Sequence, residues 1–272
     1  MEFRTAAGLD IPSIGLGTMR LLGEECRRAV GDALAAGYRH IDTARKYGNE
    51  EDVGAALRSS GVSRDEILLV TKLWHDELST DAVRVAVADS LRRLEVDYLD
   101  VLLVHWPSRQ VPLSETMEAL VRAKEEGQAR RIGVANFPAS LFEQVADTPG
   151  LIGNQVEYHP YLSQAPLLSI ARAQGLVLTA YCPLGRGGDL LRDPVLERLA
   201  ADRGRTVAQI VLRWLLQQPR VVAIPGTGRR EHMRENLDVF DFTLSDGEMA
   251  TIHALARRQR VVDPPHAPDW DA

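Results

Sequence analysis

Asp42, Tyr47, Lys72 and His105 are the residues of this chain whose types could together hold and move a proton. The stretch Tyr38 to Asp52, YRHIDTARKYGNEED, supplies two of them. It opens as a short strand (Tyr38 to Ile41), places Asp42 at the strand's end, turns through Tyr47-Gly48-Asn49 and starts a helix at Glu50. In a parallel barrel, an acid at a strand's C-terminal end and a tyrosine five residues on converge on one pocket. The plainer alternative is a surface loop with an Asx-type turn at Asn49. A tyrosine is a poor general acid at neutral pH, because its ordinary pKa is about 10. An ammonium beside it, Lys72, is expected to lower that value, and Asp42 to pair with the lysine and fix it. His105 could orient a carbonyl oxygen or relay a proton. No metal is expected, since one imidazole and one carboxylate from distant strands make no ligand set. Cys182 reads as a small packed residue with no partner base.

The elements that would position these groups follow one another without a break in composition. A hairpin over residues 2–12, turning at Ala7-Gly8-Leu9-Asp10, precedes a glycine-rich first strand, Ile14 to Gly17. Further strands are expected at 39–42, 67–72, 99–105, 132–136, 154–157, 176–180 and 221–224. Helices are expected at 24–36, 50–59, 79–94, 114–126, 139–147, 164–174, 194–202, 206–217, 229–237 and 245–256. A glycine-rich loop follows residue 185, and the Pro-rich tail RRQRVVDPPHAPDWDA reads as irregular. Near-continuous apolar strands alternating with amphipathic helices mean a parallel sheet buried on both faces. Eight such units predict an α/β fold, a (β/α)8 TIM barrel with an N-terminal β-hairpin and extra C-terminal helices. The alternative is an open doubly wound sheet. Against it, Gly15-Leu16-Gly17-Thr18-Met19-Arg20 fails the dinucleotide fingerprint at its third glycine. The barrel's strand ends would carry Thr18, Asp42, Lys72, His105, Asn136, Gln155, Tyr181 and Pro225, an unusual concentration of chemistry for a mere scaffold.

Composition sets outer bounds. A chain of 272 residues, 45% hydrophobic and 26% charged, fits one barrel domain over 1–272. The net charge of −6 counts against nucleic acid as a partner. No signal-peptide pattern and no apolar run near the ~18 residues of a membrane span appear. Cys26 and Cys182 lie in unrelated contexts. A cytoplasmic monomer acting on a small molecule is the expectation. Of 32 basic residues only Lys46, Lys72 and Lys124 are lysines. A lysine at a buried-looking position suits a tight pocket that a guanidinium fork would not fit.

The motifs GYRHIDTARKYGNE, Thr71-Lys72, LRRLEVDYLDVLLVHWP, RRIGVANF, NQVEYHP, AYCPLG and IPGTGRREHMRENL, in this order, resemble the aldo-keto reductases over nearly the whole chain. The chain is similar in particular to short bacterial members such as the 2,5-diketo-gluconate reductases. The resemblance implies the same barrel and hydride transfer from NADPH, with NADH possible, to an aldehyde or ketone. It places the family's catalytic residues on Asp42, Tyr47, Lys72 and His105, with Tyr47 protonating the oxygen. Asn136 and Gln155 would hold the nicotinamide carboxamide and Tyr181 would stack on its ring. Gly17, Thr18, Met19 and Asp42 would flank the cofactor, as would Cys182, Pro183, Leu184 and Gly185. Ile224, Pro225, Gly226, Thr227, Gly228, His232, Glu235 and Asn236 would wrap its adenosine end. Met19, Tyr47, His105 and Trp106 would face the substrate. Some departures stand out: Ala135 where Ser is usual, Met19 where Trp is common, and Gly226 and His232 where Lys and Arg commonly grip a 2′-phosphate. The contrasting possibility is a non-catalytic NADP(H)-sensing subunit of the same fold.

Overall fold

Strands apolar on both faces need cover on both, and the computed structural model, which describes residues 2–270, supplies it by closing the sheet on itself. Strands β1 (Phe3–Ala6) and β2 (Leu9–Pro12) form an antiparallel hairpin. Its turn is tighter than expected, since Leu9 and Asp10 pair with Ala6 and Thr5, leaving only Ala7 and Gly8 at positive φ. The barrel strands are β3 (Leu16–Gly17), β4 (His40–Asp42), β5 (Leu68–Leu73), β6 (Leu99–Val104), β7 (Ala129–Ala135), β8 (Leu151–Glu157), β9 (Val177–Tyr181) and β10 (Val221–Ala223). They run parallel and in chain order. The ring closes where Gly15 N–H donates to the Ala223 carbonyl (2.9 Å) and Ala223 N–H to that of Ser13 (2.9 Å).

Around the strands lie α1 (Gly23–Ala36), α2 (Glu50–Ser59), α3 (Thr80–Leu94), α4 (Leu113–Glu125), α5 (Ala139–Val145), α6 (Ala165–Ala173), α7 (Pro194–Arg203), α8 (Val207–Gln217), α9 (Arg230–Leu237) and α10 (Asp246–His253). The strand β8 begins three residues before the expected Asn154. Gly153 had masked it, because a glycine reads as a strand breaker. A Cβ there would stand 1.9 Å from the Val177 carbonyl oxygen, so the glycine lets β8 and β9 close together.

Two cores divide the apolar residues. The larger fills the layer between sheet and helices. A smaller one, including Ile11, Leu68, Val70, Val101, Leu103 and Val177, fills the barrel interior, and Ile11 of the hairpin contributes to it from the strands' N-terminal end. Strand alternation does the rest. Continuing inward from Val70, Leu103 and Thr179 by two residues brings Lys72, His105 and Tyr181 to the C-terminal rim.

Candidate active site

The rim opens into a cleft of about 690 Å³ running from Tyr47, Trp74 and His105 at one end to Gly228 and His232 at the other. At its floor Lys72, fully buried, points Nζ at Asp42 Oδ1 (2.5 Å) and donates to the Thr43 carbonyl (2.8 Å). The other Asp42 oxygen accepts from Gln155 Nε2 (2.8 Å). The acid is thus fixed at both oxygens.

Tyr47 reaches this floor from a short 3-10 turn, Arg45–Tyr47, that Gly48 ends in the left-handed conformation at φ 69. The turn is pinned from outside by Arg45, which donates to Glu77 (3.0 Å), Asp89 (3.1 Å) and the Ala86 carbonyl (3.0 Å). Its ring centre lies 5.2 Å from Lys72 Nζ and 5.6 Å from the His105 ring, edge to face. Lys72 was expected to pull the phenol's pKa down, but burial, with Asp42 adding to it, holds the phenol well above its ordinary value. Desolvation wins, and the Asp42 charge beside the lysine acts on the phenol in the opposite sense to the ammonium.

His105 is held well below the usual imidazole range, first by burial and then by the Lys72 charge, so the ring is neutral at pH 7. Nδ1 is buried without a partner, leaving Nε2 as the nitrogen that can face the cleft. Asn136, in the left-handed region at φ 62, donates Nδ2–H to the His105 carbonyl (2.8 Å) and accepts the Tyr181 hydroxyl (2.6 Å). Tyr181 is thereby set as a fixed wall, and Trp106, 4% exposed, is packed beneath the rim.

Asn49, one alternative for which was an Asx turn on the surface, is fully buried. Its amide donates to the carbonyls of Thr18 (3.0 Å) and Leu21 (2.8 Å) and accepts from Thr43 (2.6 Å), binding the loop after β3 to the Tyr47 turn.

At the far end, the backbones of two loops touch. A Cβ on Gly17 would sit 2.9 Å from the Ile224 carbonyl oxygen, and one on Gly226 would sit 3.0 Å from that of Gly17. Thr18, Met19, Cys182, Pro183, Leu184, Pro225 and Thr227 line the cleft as well, whereas Gly185, Glu235 and Asn236 do not. Asn236 is buried beside the Tyr38 hydroxyl, and Glu235 accepts a hydrogen bond from Thr206. Several lining groups carried no sequence signal. Lys46, over the Trp74 ring at 5.0 Å, Arg20 and Arg186 join it, as do Val262, Pro264 and His266 of the tail. The tail is irregular as expected, but it is docked across the rim, with Ala267 N–H bonded to Pro264 and Arg109 to the Ala267 carbonyl.

Residues 13–257 match the model of the aldo/keto reductase family. The chain belongs to that family. It is 39% identical over 269 residues to the methylglyoxal reductase of Escherichia coli O157:H7, covering 97% of this chain and 100% of the relative. With the glyoxal reductase of Bacillus subtilis it shares 39% identity over 258 residues, 93% of this chain and 92% of that one. A crystal structure described as a candidate 2,5-diketo-D-gluconic acid reductase B superposes with a TM-score of 0.96 at 42% identity, covering 100% of this chain and 98% of the other. Aldo/keto reductases are oxidoreductases that act on carbonyls and generally use NAD(P)H, and this chain is an enzyme of that kind. Among the described residues no helix is long and apolar enough to cross a membrane, and no group of three or more acidic, histidine or cysteine side chains could hold a metal ion.

Proposed function

We propose that this enzyme reduces small aldehydes or ketones with NADPH and that Tyr47 gives the proton to the carbonyl oxygen. The observation that carries this reading is the convergence of Asp42, Tyr47, Lys72 and His105 at one end of the cleft. The residues present suit a nicotinamide dinucleotide. Gly17 and Gly226 keep the two loops free of side chains where their backbones meet. Asn136, Gln155 and Tyr181 offer amide and aromatic surface beside the cluster. When bound, the cofactor supplies the hydride.

The chain's own residues do the rest. His105, neutral, orients the substrate oxygen by donating Nε2–H, the tautomer that puts its donor on the cleft side. Tyr47, kept protonated by burial, holds a proton ready for that oxygen. As the proton leaves, negative charge grows on the phenol, and Lys72 stands close enough to offset it. Asp42 keeps that ammonium charged and aimed, with Gln155 securing the acid's second oxygen. Trp74, Trp106 and the tail exclude water from the reacting end.

The test is Tyr47→Phe. It should lower kcat by 10²–10⁴-fold with 4-nitrobenzaldehyde or methylglyoxal, while NADPH still quenches tryptophan fluorescence with little change in Kd. Retention of more than about a tenth of wild-type kcat would remove Tyr47 from the role of acid.

A further inference from the structure

Glu157 is a fully buried carboxylate that the steps above leave unused. It ends β8, two residues beyond Gln155 and on the same face. Its Oε1 accepts the Val261 N–H (2.7 Å) and meets His159 Nε2 (2.9 Å), while its Oε2 accepts the Val262 N–H (2.8 Å). A carboxylate is thus matched, oxygen for donor, to two successive backbone amides of the irregular tail. On either side of that match, hydrogen bonds also tie the tail to the barrel. Arg257 and Gln259 N–H groups bond the Tyr161 carbonyl (3.1 Å each), and Arg109 bonds the Ala267 carbonyl (2.7 Å). Between these ties the chain crosses the cleft, where Val262, Pro264 and His266 form a wall. His266 packs against Trp74 (ring centres 4.9 Å apart) and Trp106 (5.1 Å).

We propose that Glu157 is a positioning residue for substrate: its carboxylate clamps the Val261–Val262 backbone and so sets the tail as one wall of the carbonyl-binding end. This rests on reading the cleft as the site of carbonyl reduction. A carboxylate suits the task because it is all acceptor, and hydrogen bonds from amides to an ionised oxygen are the stronger kind. A glutamine in its place would turn an NH2 toward one of the two N–H donors. With the tail still tied on either side, loss of the middle clamp bows residues 260–264 outward and does not release the whole segment. Substrates large enough to touch the wall lose a contact, and small ones do not.

Hydrogen exchange on the full-length wild type, with no ligand added, reads the clamp directly. The Val261 and Val262 amides should exchange at least tenfold more slowly than that of Asp263, and exchange at free-peptide rates would overturn the proposal. In Glu157→Gln both amides should lose that protection. KM for 4-nitrobenzaldehyde should rise about tenfold, while its kcat, the KM for methylglyoxal and the Kd for NADPH stay within about threefold. Faster exchange at 261 and 262 with an unchanged KM for the larger aldehyde would also overturn it. Should Glu157→Gln fail to fold, Val262→Ala leaves the carboxylate and both amides in place and trims only the wall. It should raise KM for 4-nitrobenzaldehyde at least threefold and leave that for methylglyoxal unmoved, and equal KM values would again count against the wall. If the wild type reduces neither aldehyde, the carbonyl-reduction reading falls, and exchange at 261 and 262 still judges the clamp.

Discussion

By the family resemblance Gly226 and His232 stand at the positions where a Lys and an Arg are common, and the local geometry bears on how a 2′-phosphate would be held there. Gly226 is pressed against the Gly17 carbonyl, so the loop trades a cation for backbone proximity. Of the nearby arginines, Arg230 is committed to Asp32 at 2.5 Å, and Arg28 to Asp32 and the Gly228 carbonyl. Arg229 is held through its backbone, its N–H donating to Thr227 Oγ1 (3.1 Å) and its carbonyl accepting from Met233 N–H (3.1 Å), and its side chain makes no ion pair among the described residues. His232 Nδ1 stands 3.5 Å from the same hydroxyl. An arginine–phosphate contact is charge-assisted and well suited to a fork. NADPH is therefore expected to bind with a smaller preference over NADH than Lys/Arg-bearing relatives show, and Arg229→Ala should weaken NADPH and leave NADH nearly unchanged. Fluorescence titration of both cofactors against the wild type and Arg229→Ala measures this. A wild-type preference for NADPH above about a thousandfold would show the missing pair fully replaced.

At the scale of elements, the crossing of α2 and α3 shows how tightly the site's support is built. A Cβ on Gly54, in the middle of α2, would meet the Leu94 carbonyl oxygen at 2.2 Å, a backbone atom at the end of α3 that cannot rotate away. In an exposed helix, Gly→Ala gains about 1 kcal/mol. Here overpacking of the usual 1–3 kcal/mol reverses the sign. Gly54→Ala should lower the urea-unfolding free energy by up to about 2 kcal/mol, and a raised midpoint would mean that α2 can slide. The same helix opens at Glu50, whose carboxylate bonds Thr71 (2.7 Å), the residue before Lys72. A shift of α2 would thus be felt at the floor of the cleft, and KM for an aldehyde should rise alongside the loss of stability.

For the whole molecule, buried imidazoles make stability depend on pH above the range where carboxylates titrate. His40 and His105 are both held below the ordinary value, in each case chiefly by burial. The unfolded chain therefore takes up these protons first, near pH 6.5. Stability from the two histidines is complete above that value and is lost as pH falls from it toward their folded values, by up to about 1.4 kcal/mol per pH unit for each. Glu50, raised by burial, acts in the opposite sense, since the folded state takes its proton first. Urea unfolding at pH 7.5 and pH 5.5 should show a clear loss at the lower pH, and His40→Gln should reduce it. Equal unfolding free energies would mean that folded and unfolded chains bind these protons alike.

The barrel and the identity of its rim residues were legible in the sequence, because period-two alternation within β5, β6 and β9 and the regular succession of strand and helix are local properties of the chain. Asp42, Lys72 and His105 could be named from strand ends, and Tyr47 from the loop that follows the strand of Asp42. That Lys72 leaves the Tyr47 phenol protonated was not legible, since the outcome depends on how far the folded cleft withdraws the phenol from water and on the Asp42 charge placed beside it. The start of β8 was hidden by Gly153, whose use shows only when β9 lies against it. Asn49 reads as a turn residue in the sequence, and only the fold brings its amide to the carbonyls of Thr18 and Leu21. The tail was the least legible part. It has no periodicity, and its place is set by two backbone amides meeting a carboxylate more than a hundred positions earlier in the chain. Only the closed tertiary structure brings those groups together.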